Sequence, residues 1–182
     1  MILLPKLPFV LTVVTDGWYG DTLAFVAIVL NDEGGLQEQS AARLDEARVR
    51  SATNLNDKEK AWILTVPEVA DHRVMCEQFW EFWTKWLERQ PIRLQFVYDS
   101  VLHPGAVEFF RGCVRMNESV RKDLDPMKID VATLLLTHGH DPRISRFTIA
   151  RMVGGEVGDL AHLALAIATC NTDMQKIIEG TP

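Results

Sequence analysis

Two apolar runs near the start of the chain, FVLTVVT at 9–15 and TLAFVAIVL at 22–30, constrain the fold more than any other feature. Both are rich in β-branched residues. The first ends at Asp16-Gly17, and the second at Asn31-Asp32 with Gly34-Gly35 beyond it; these are turn signals. Neither run alternates apolar with polar residues, so neither has a side that water could cover. Strands of this kind lie in the middle of a sheet that helices cover on both faces.

The rest of the chain supplies those helices. Residues 31–60 are polar and charged with only scattered Leu and Ala, and they read as a mobile excursion between strands. AWILTV at 61–66 reads as a third strand, stopped by Pro67. From Val74 to Leu87 the period becomes helical, with Met75, Phe79, Phe82, Trp83, Trp86 and Leu87 on one apolar face. LQFVY at 94–98 is a fourth strand, and Pro104 then opens a helix to about Met116 with Val107, Phe110 and Val114 facing inward. Residues 130–136 fit a short strand or a buried helix equally well. Two more helices are expected at about 143–153 and 158–178, the last burying Leu160, Leu163, Ala164, Ile167, Met174 and Ile178. Three leading strands with short returns predict antiparallel pairing, and the strand–helix–strand step predicts a parallel addition. The expectation is one α/β domain over residues 1–182, a mixed sheet flanked by helices.

Composition narrows the function classes. The 182 residues are 47 % hydrophobic and carry a formal charge of −6, which suits a soluble core-forming domain and lowers the case for tight, non-specific phosphate binding. Cys76, Cys113 and Cys170 are odd in number and widely spaced, which argues against a disulfide scaffold or a zinc knuckle and suits a reducing, cytoplasmic setting. All three fall in helical stretches, where a buried inert thiol is expected. No apolar run is long enough to span a membrane, and the start is broken by Pro5 and Pro8.

The order of elements resembles the ribonuclease-H-like fold, and short segments resemble its DEDD-type 3′–5′ exonucleases. In that family the first strand reads Asp-x-Glu-Thr-(Thr or Asp)-Gly. Thr12-Val13-Val14-Thr15-Asp16-Gly17 stands here, so the tail of the motif is present while the two acids fall on Thr12 and Val14. The second motif, Asp-Asn-x-x-Phe-Asp, is matched by the segment from Asp99 to Pro104: Asp99 takes the first position and Pro104 the place of the acid. Residues 129–135 look like the family's Asp-Thr-x-Thr-Leu-Leu segment. The third motif, His-x-x-x-x-Asp-Ala, resembles residues 158–164, with Asp159 on the acid. Its histidine would fall on Gly154, and the sister subfamily's tyrosine on Gly155.

The resemblance implies a chemistry and also questions it. Such enzymes hold two divalent ions about 4 Å apart, one activating water and the other stabilising the leaving oxygen. Carboxylates and water hold Mg²⁺, and Thr12, Val14 and Pro104 supply no carboxylate. The usual general base is also missing at 154 and 155. The implied function is an exonuclease-like domain that has lost its two-metal site and binds single-stranded nucleic acid or a protein. Two other readings stay open. One is an active exonuclease using Mg²⁺ or Mn²⁺ at a site rebuilt from Asp16, Asp99 and Asp159, with Asp159 as metal ligand. The other is an acidic protein that imitates nucleic acid and meets a basic partner through residues 31–60.

A few further residues have both a functional and a structural use. Trp18 and Tyr19 follow the Thr-Asp-Gly turn and either stack on a base or pack over the sheet edge. Asp16 before a glycine is also a plain turn former. Asp71-His72, Arg111 and Arg115 fit a phosphate contact, with surface ion pairing as the default. His138-Gly139-His140-Asp141 looks like part of the metallo-β-lactamase signature, but Pro142 and Arg143 stand where its Asp and second-site His belong. A turn with two solvated imidazoles is the expectation there, with adventitious Zn²⁺ or Ni²⁺ binding as its alternative.

Overall fold

The two apolar runs become the centre of a five-stranded sheet. In the computed structural model, which describes residues 6–18, 20–31, 36–89, 93–101, 104–117, 127–137 and 141–144, β1 (Lys6–Thr15) pairs antiparallel with β2 (Thr22–Leu30). A third strand, β3 (Leu36–Arg43), adds antiparallel to β2. On the other edge of β1, β4 (Arg93–Tyr98) and then β5 (Met127–Asp130) add in parallel, so the order is β3-β2-β1-β4-β5. The mixed sheet, antiparallel on one side of β1 and parallel on the other, is the ribonuclease-H-like architecture expected. Helices cover it: α1 (Glu46–Ser51), α2 (Asp57–Ile63), α3 (His72–Leu87), α4 (Gly105–Met116) and α5 (Val131–Thr137).

Every residue of β2 is buried, as a strand without a polar side must be. Alternation along β1 divides the core in two. Leu7, Phe9, Leu11 and Val13 face α3 and α4, while Val10 joins Val26, Ile28, Val49, Ile63 and Val131 on the opposite side. The first face is aromatic. The Phe9 ring meets Trp83 edge-on at 4.8 Å, Phe25 stacks on Phe109 at 5.4 Å, and Phe96 lies 4.7 Å from Phe110. Edge and offset contacts of this kind add to the burial of large apolar area. The helical period at 74–87 is confirmed, with Met75, Cys76, Phe79, Phe82, Trp83 and Trp86 buried in α3.

Three expectations need correcting. Residues 61–66 are not a strand: they are the end of α2 and the turn after it. A capping box starts that helix, Asn56 Oδ1 accepting from Glu59 N at 2.9 Å and Glu59 Oε2 accepting from Asn56 N at 2.8 Å. The true third strand lies inside the polar excursion at 31–60, most of which is β3, α1 and α2. It sits at the sheet edge, so much of its side-chain surface stays wet and no apolar pattern marks it. Gln78 of α3 secures it by donating to Ala41 O at 3.1 Å, and Lys85 pairs with Glu38. In α4 the inward face is Ala106, Phe109, Phe110 and Cys113, while Val114 is exposed. Burying two adjacent phenyl rings outweighs burying two valines, so the helix is rotated from its expected face.

The ambiguous segment at 130–136 resolves into both options, β5 ending at Asp130 and α5 starting at Val131. The helices expected at 143–153 and 158–178 lie outside the described residues, apart from 143 and 144, which belong to a turn closed by Ile144 N donating to Asp141 O. Among the described residues no helix is long and apolar enough to cross a membrane. Trp83 touches Phe9, Phe96 and Phe110 at once, so Trp83→Ala is expected to cost about 3–5 kcal/mol in urea unfolding, whereas Val114→Ala on the exposed side of α4 stays within about 0.5 kcal/mol.

Candidate functional site

The candidate site lies where β1 and β4, running parallel, end together. Val10, Thr12 and Val14 alternate onto the face opposite α3. Thr12 has no accessible surface, and its Oγ1 has no hydrogen-bond partner among the described residues. Val14 is half-buried and packs against the second core. The register of β1 slips between Val14 and Thr15, and a tight turn follows, Asp16 N donating to Asp21 O at 3.1 Å. Gly17 takes φ +82°, and a Cβ on Gly20 would lie 1.8 Å from Asp16 O, so both positions need glycine.

Asp16 holds that turn to the rest of the fold. Its Oδ1 accepts from Thr53 N, Asn54 N and Asn54 Nδ2, each at 3.2 Å, and so ties the α1–α2 connection to the end of β1. Beside it Trp18 projects into water, 71 % exposed, so the edge-packing use is not the one adopted. The start of α4 closes against the same strand end: a Cβ on Gly105 would lie 2.6 Å from Thr15 Cγ2. Pro104 occupies the N-cap of α4 and makes no side-chain cap bond.

At the end of β4, Asp99 is fully buried and its Oδ1 accepts from Val101 N at 3.1 Å. Counting two residues on from the last ladder pair, Val10 with Val97, puts Asp99 level with Thr12. One strand further out is Asp130, which falls on the Asp of the Asp-Thr-x-Thr-Leu-Leu-like segment but was not among the candidate site residues. Its Oδ1 accepts from Ser100 N at 3.0 Å and Ala132 N at 3.2 Å. Its Oδ2 accepts from Ser100 Oγ and Thr133 Oγ1, both at 2.7 Å. An aspartate just before a helical run with a threonine three residues on is a capping signal that could have marked it. Burial, helped by the Asp130 charge, pushes the Tyr98 phenol above its ordinary value.

The described side chains here offer few ligands for a two-metal centre. Thr12, Val14 and Pro104, on which the resemblance puts three of the family's acids, present a buried neutral hydroxyl, an isopropyl group and a pyrrolidine ring, none of which brings negative charge to Mg²⁺. Among the described residues no three His, Cys, Asp or Glu side chains are grouped so as to hold a metal ion. Asp16 and Asp99 are engaged on different partners, the α1–α2 connection and the Val101 amide. Tyr19, His138, His140, Gly154, Gly155 and Asp159 lie outside the described residues. Asp141 shapes a turn, its Oδ1 accepting from Arg143 N at 2.8 Å. Asp71 caps α3 by accepting from Val74 N at 2.9 Å, and Arg111 pairs with Glu108 at 2.6 Å, so these two follow the structural default.

Solved structures with a similar arrangement include exonucleases. The nuclease domain of 3′hExo, a DEDDh family member bound to rAMP, superposes with a TM-score of 0.54 over 97 % of this chain and 92 % of its own, at 6 % identity. The fold is that of a DEDD-type 3′–5′ exonuclease. Escherichia coli exonuclease I in complex with a dT13 oligonucleotide matches with a TM-score of 0.58 over 97 % of this chain at 12 % identity; the chain spans 41 % of that protein's length. A 3′-exonuclease that recognises the histone mRNA stem-loop matches with a TM-score of 0.54, 97 % of this chain against 82 % of its own, at 7 % identity. No protein-family model matches the chain, and no curated protein matches it by sequence.

Two substitutions probe this region. Thr12→Val keeps the shape and removes the unpartnered buried hydroxyl, so it is expected to leave stability unchanged or raise it by about 1 kcal/mol in chemical denaturation. Asp16→Ala removes three acceptor contacts, and a loss of about 1–2 kcal/mol is expected, with faster amide exchange at Thr53 and Asn54 than at β2.

Proposed function

We propose that this domain keeps the exonuclease fold as a reader of single-stranded nucleic acid and does not run the two-metal reaction from β1 and α4. The observation that carries the reading is the buried Thr12 and half-buried Val14 at the end of β1, where neutral side chains fill the positions to which the resemblance assigns the family's metal-ligating acids. A strand end built this way can dock a substrate and cannot hold two divalent ions, because their mutual repulsion would go uncompensated.

Support for nucleic acid comes from two directions. Trp18 is a large aromatic exposed on the turn that leaves β1, beside the place a 3′ end takes in the family. Every base has a π-face, so one aromatic platform binds single strands without reading sequence. Solved structures of this fold include exonuclease I with an oligonucleotide and 3′hExo with rAMP. The net charge of −6 argues for a weak, salt-sensitive complex carried more by stacking than by phosphate neutralisation.

The decisive experiment incubates the full chain with end-labelled single-stranded DNA and RNA plus Mn²⁺, beside an Asp159→Ala variant. The expected result is binding without degradation, with Trp18→Ala weakening the complex about tenfold, as the loss of one base–aromatic contact does. Degradation from the 3′ end that Asp159→Ala abolishes would replace this reading with an active exonuclease whose site is rebuilt around Asp16, Asp99 and Asp159. Neither binding nor degradation would favour a protein partner.

A further inference from the structure

The sheet ends on one side at β3, and the outer edge of that strand is closed for only part of its length. Along an antiparallel ladder, successive residues turn their backbone groups alternately toward the neighbouring strand and away from it. Arg43 turns away from β2: its N–H donates to Pro67 O and its carbonyl accepts from Val69 N, both at 2.9 Å. Residues 67–69 therefore close the edge at Arg43, and Arg43 Nη1 fastens them by its contact with Glu68 at 2.6 Å. Counting back by two, Ala41 and Gln39 also face outward. Ala41 O accepts from Gln78 Nε2, but the Ala41 N–H and both backbone groups of Gln39 have no partner among the described residues.

An open strand edge is a template for another strand, and monomers guard it with lysine, proline or a bulge. Between Glu38 and Ala41 the sequence is Glu-Gln-Ser-Ala, and the register slip of β3 falls before Glu38, opposite Leu30. The one charge in this stretch is already matched, because Glu38 pairs with Lys85 of the same chain. We propose that this edge is a homodimer interface, at which the β3 strands of two copies pair antiparallel about Gln39 and join their sheets into one.

Symmetry and charge choose that register. A closed pair of identical subunits is two-fold, and a two-fold axis along the strand would set N–H against N–H, so the strands must run antiparallel. Centred on Glu38, the pairing would put two carboxylates directly opposite each other, which is unfavourable. Centred on Ser40, it would set Arg43 against Gln37 of the partner subunit, at an edge that residues 67–69 already occupy. Centred on Gln39, it sets Glu38 opposite Ser40 of the partner subunit, with no like charges facing. Gln39 then exchanges both of its open backbone bonds with Gln39 of the partner subunit. The partner's strand begins at Leu36, so it stops level with Ala42, one residue short of the closed edge. The overlap is short, which places the complex among small, reversible interfaces. β1 runs parallel to β3, so the two β1 ends that carry Trp18 fall at opposite ends of the joined sheet, each two strands from the seam.

The test is sedimentation of the full chain over a concentration series at physiological salt, where the charge of −6 on each copy is screened. The average mass should climb with concentration from 20.6 kDa toward twice that value. Gln39→Pro removes an N–H that no bond within the chain uses, and an edge strand tolerates proline where its N–H faces solvent. Gln39→Lys sets like charges opposite each other. Each variant, still folded by circular dichroism, should weaken dimerisation at least tenfold. In a Cys170→Ser background, Gln39→Cys should form an intersubunit disulfide on mild oxidation, since residues that exchange both bonds have Cα atoms about 5.5 Å apart. Ser40→Cys should not, because it is offset by two residues from its own copy. A mass that stays at 20.6 kDa throughout the series would overturn the proposal. So would a dimer that folded Gln39→Lys leaves unchanged, or crosslinking through Ser40→Cys in preference to Gln39→Cys.

Discussion

β1 must satisfy its backbone on both edges and its side chains on both faces at once. Its ladder runs antiparallel to β2 and parallel to β4, and its residues alternate between an aromatic core under α3 and α4 and an aliphatic one under α1, α2 and α5. β2 is also paired on both edges and buried on both faces, but among the described strands β1 is the one that joins the antiparallel half of the sheet to the parallel half. Unpaired backbone groups would be costly here, since β1 has almost no contact with water. The continuous apolar run in the sequence is the consequence, and the position of every other element follows from what pairs with or covers it.

The same constraint gives Thr12 its meaning. A carboxylate at this depth would have to be stabilised by a metal ion or by charged partners, because desolvating it alone is far more costly than burying a hydroxyl. A threonine there is tolerable and a valine at 14 is comfortable, since neither brings a charge that needs a partner. The strand end is also shaped by close approaches. Gly17 and Gly20 close the turn, Asp16 clamps the α1–α2 connection to it, and Gly105 lets α4 come into contact with Thr15. Asp99 is likewise held by the Val101 amide, and Asp130 by local amides and hydroxyls, hydrogen bonds that help keep a carboxylate buried or fixed.

The aromatic core is also where the two covering helices meet. α3 and α4 pack through Phe79, Trp83, Phe109 and Phe110, Cys76 and Cys113 are buried in the same cluster, and His72 lies 3.7 Å from Cys76 at its edge. Close packing of this kind holds side chains in single rotamers and so fixes how α3 and α4 sit on the sheet.

Much of the architecture was legible before any coordinates. β1, β2, β4 and α3 announce themselves because they are buried, and burial imposes a period or a continuous apolar run on the residues themselves. The antiparallel-then-parallel pairing followed from the order of elements. What stayed hidden was whatever depends on a distant partner. LQEQSAAR at 36–43 is a strand only because the edge of β2 is available to it, and AWILTV at 61–66 is not one because the capping box at Asn56 and Glu59 starts a helix first. The inward face of α4 depended on which rings α3 offered, and Asp130 gained its role from Ser100 thirty residues away. Local chemistry determined which segments are strands or helices wherever burial dominates; tertiary packing decided the rest, because edge pairing, facing side chains and hydrogen bonds across the chain are properties of two segments together.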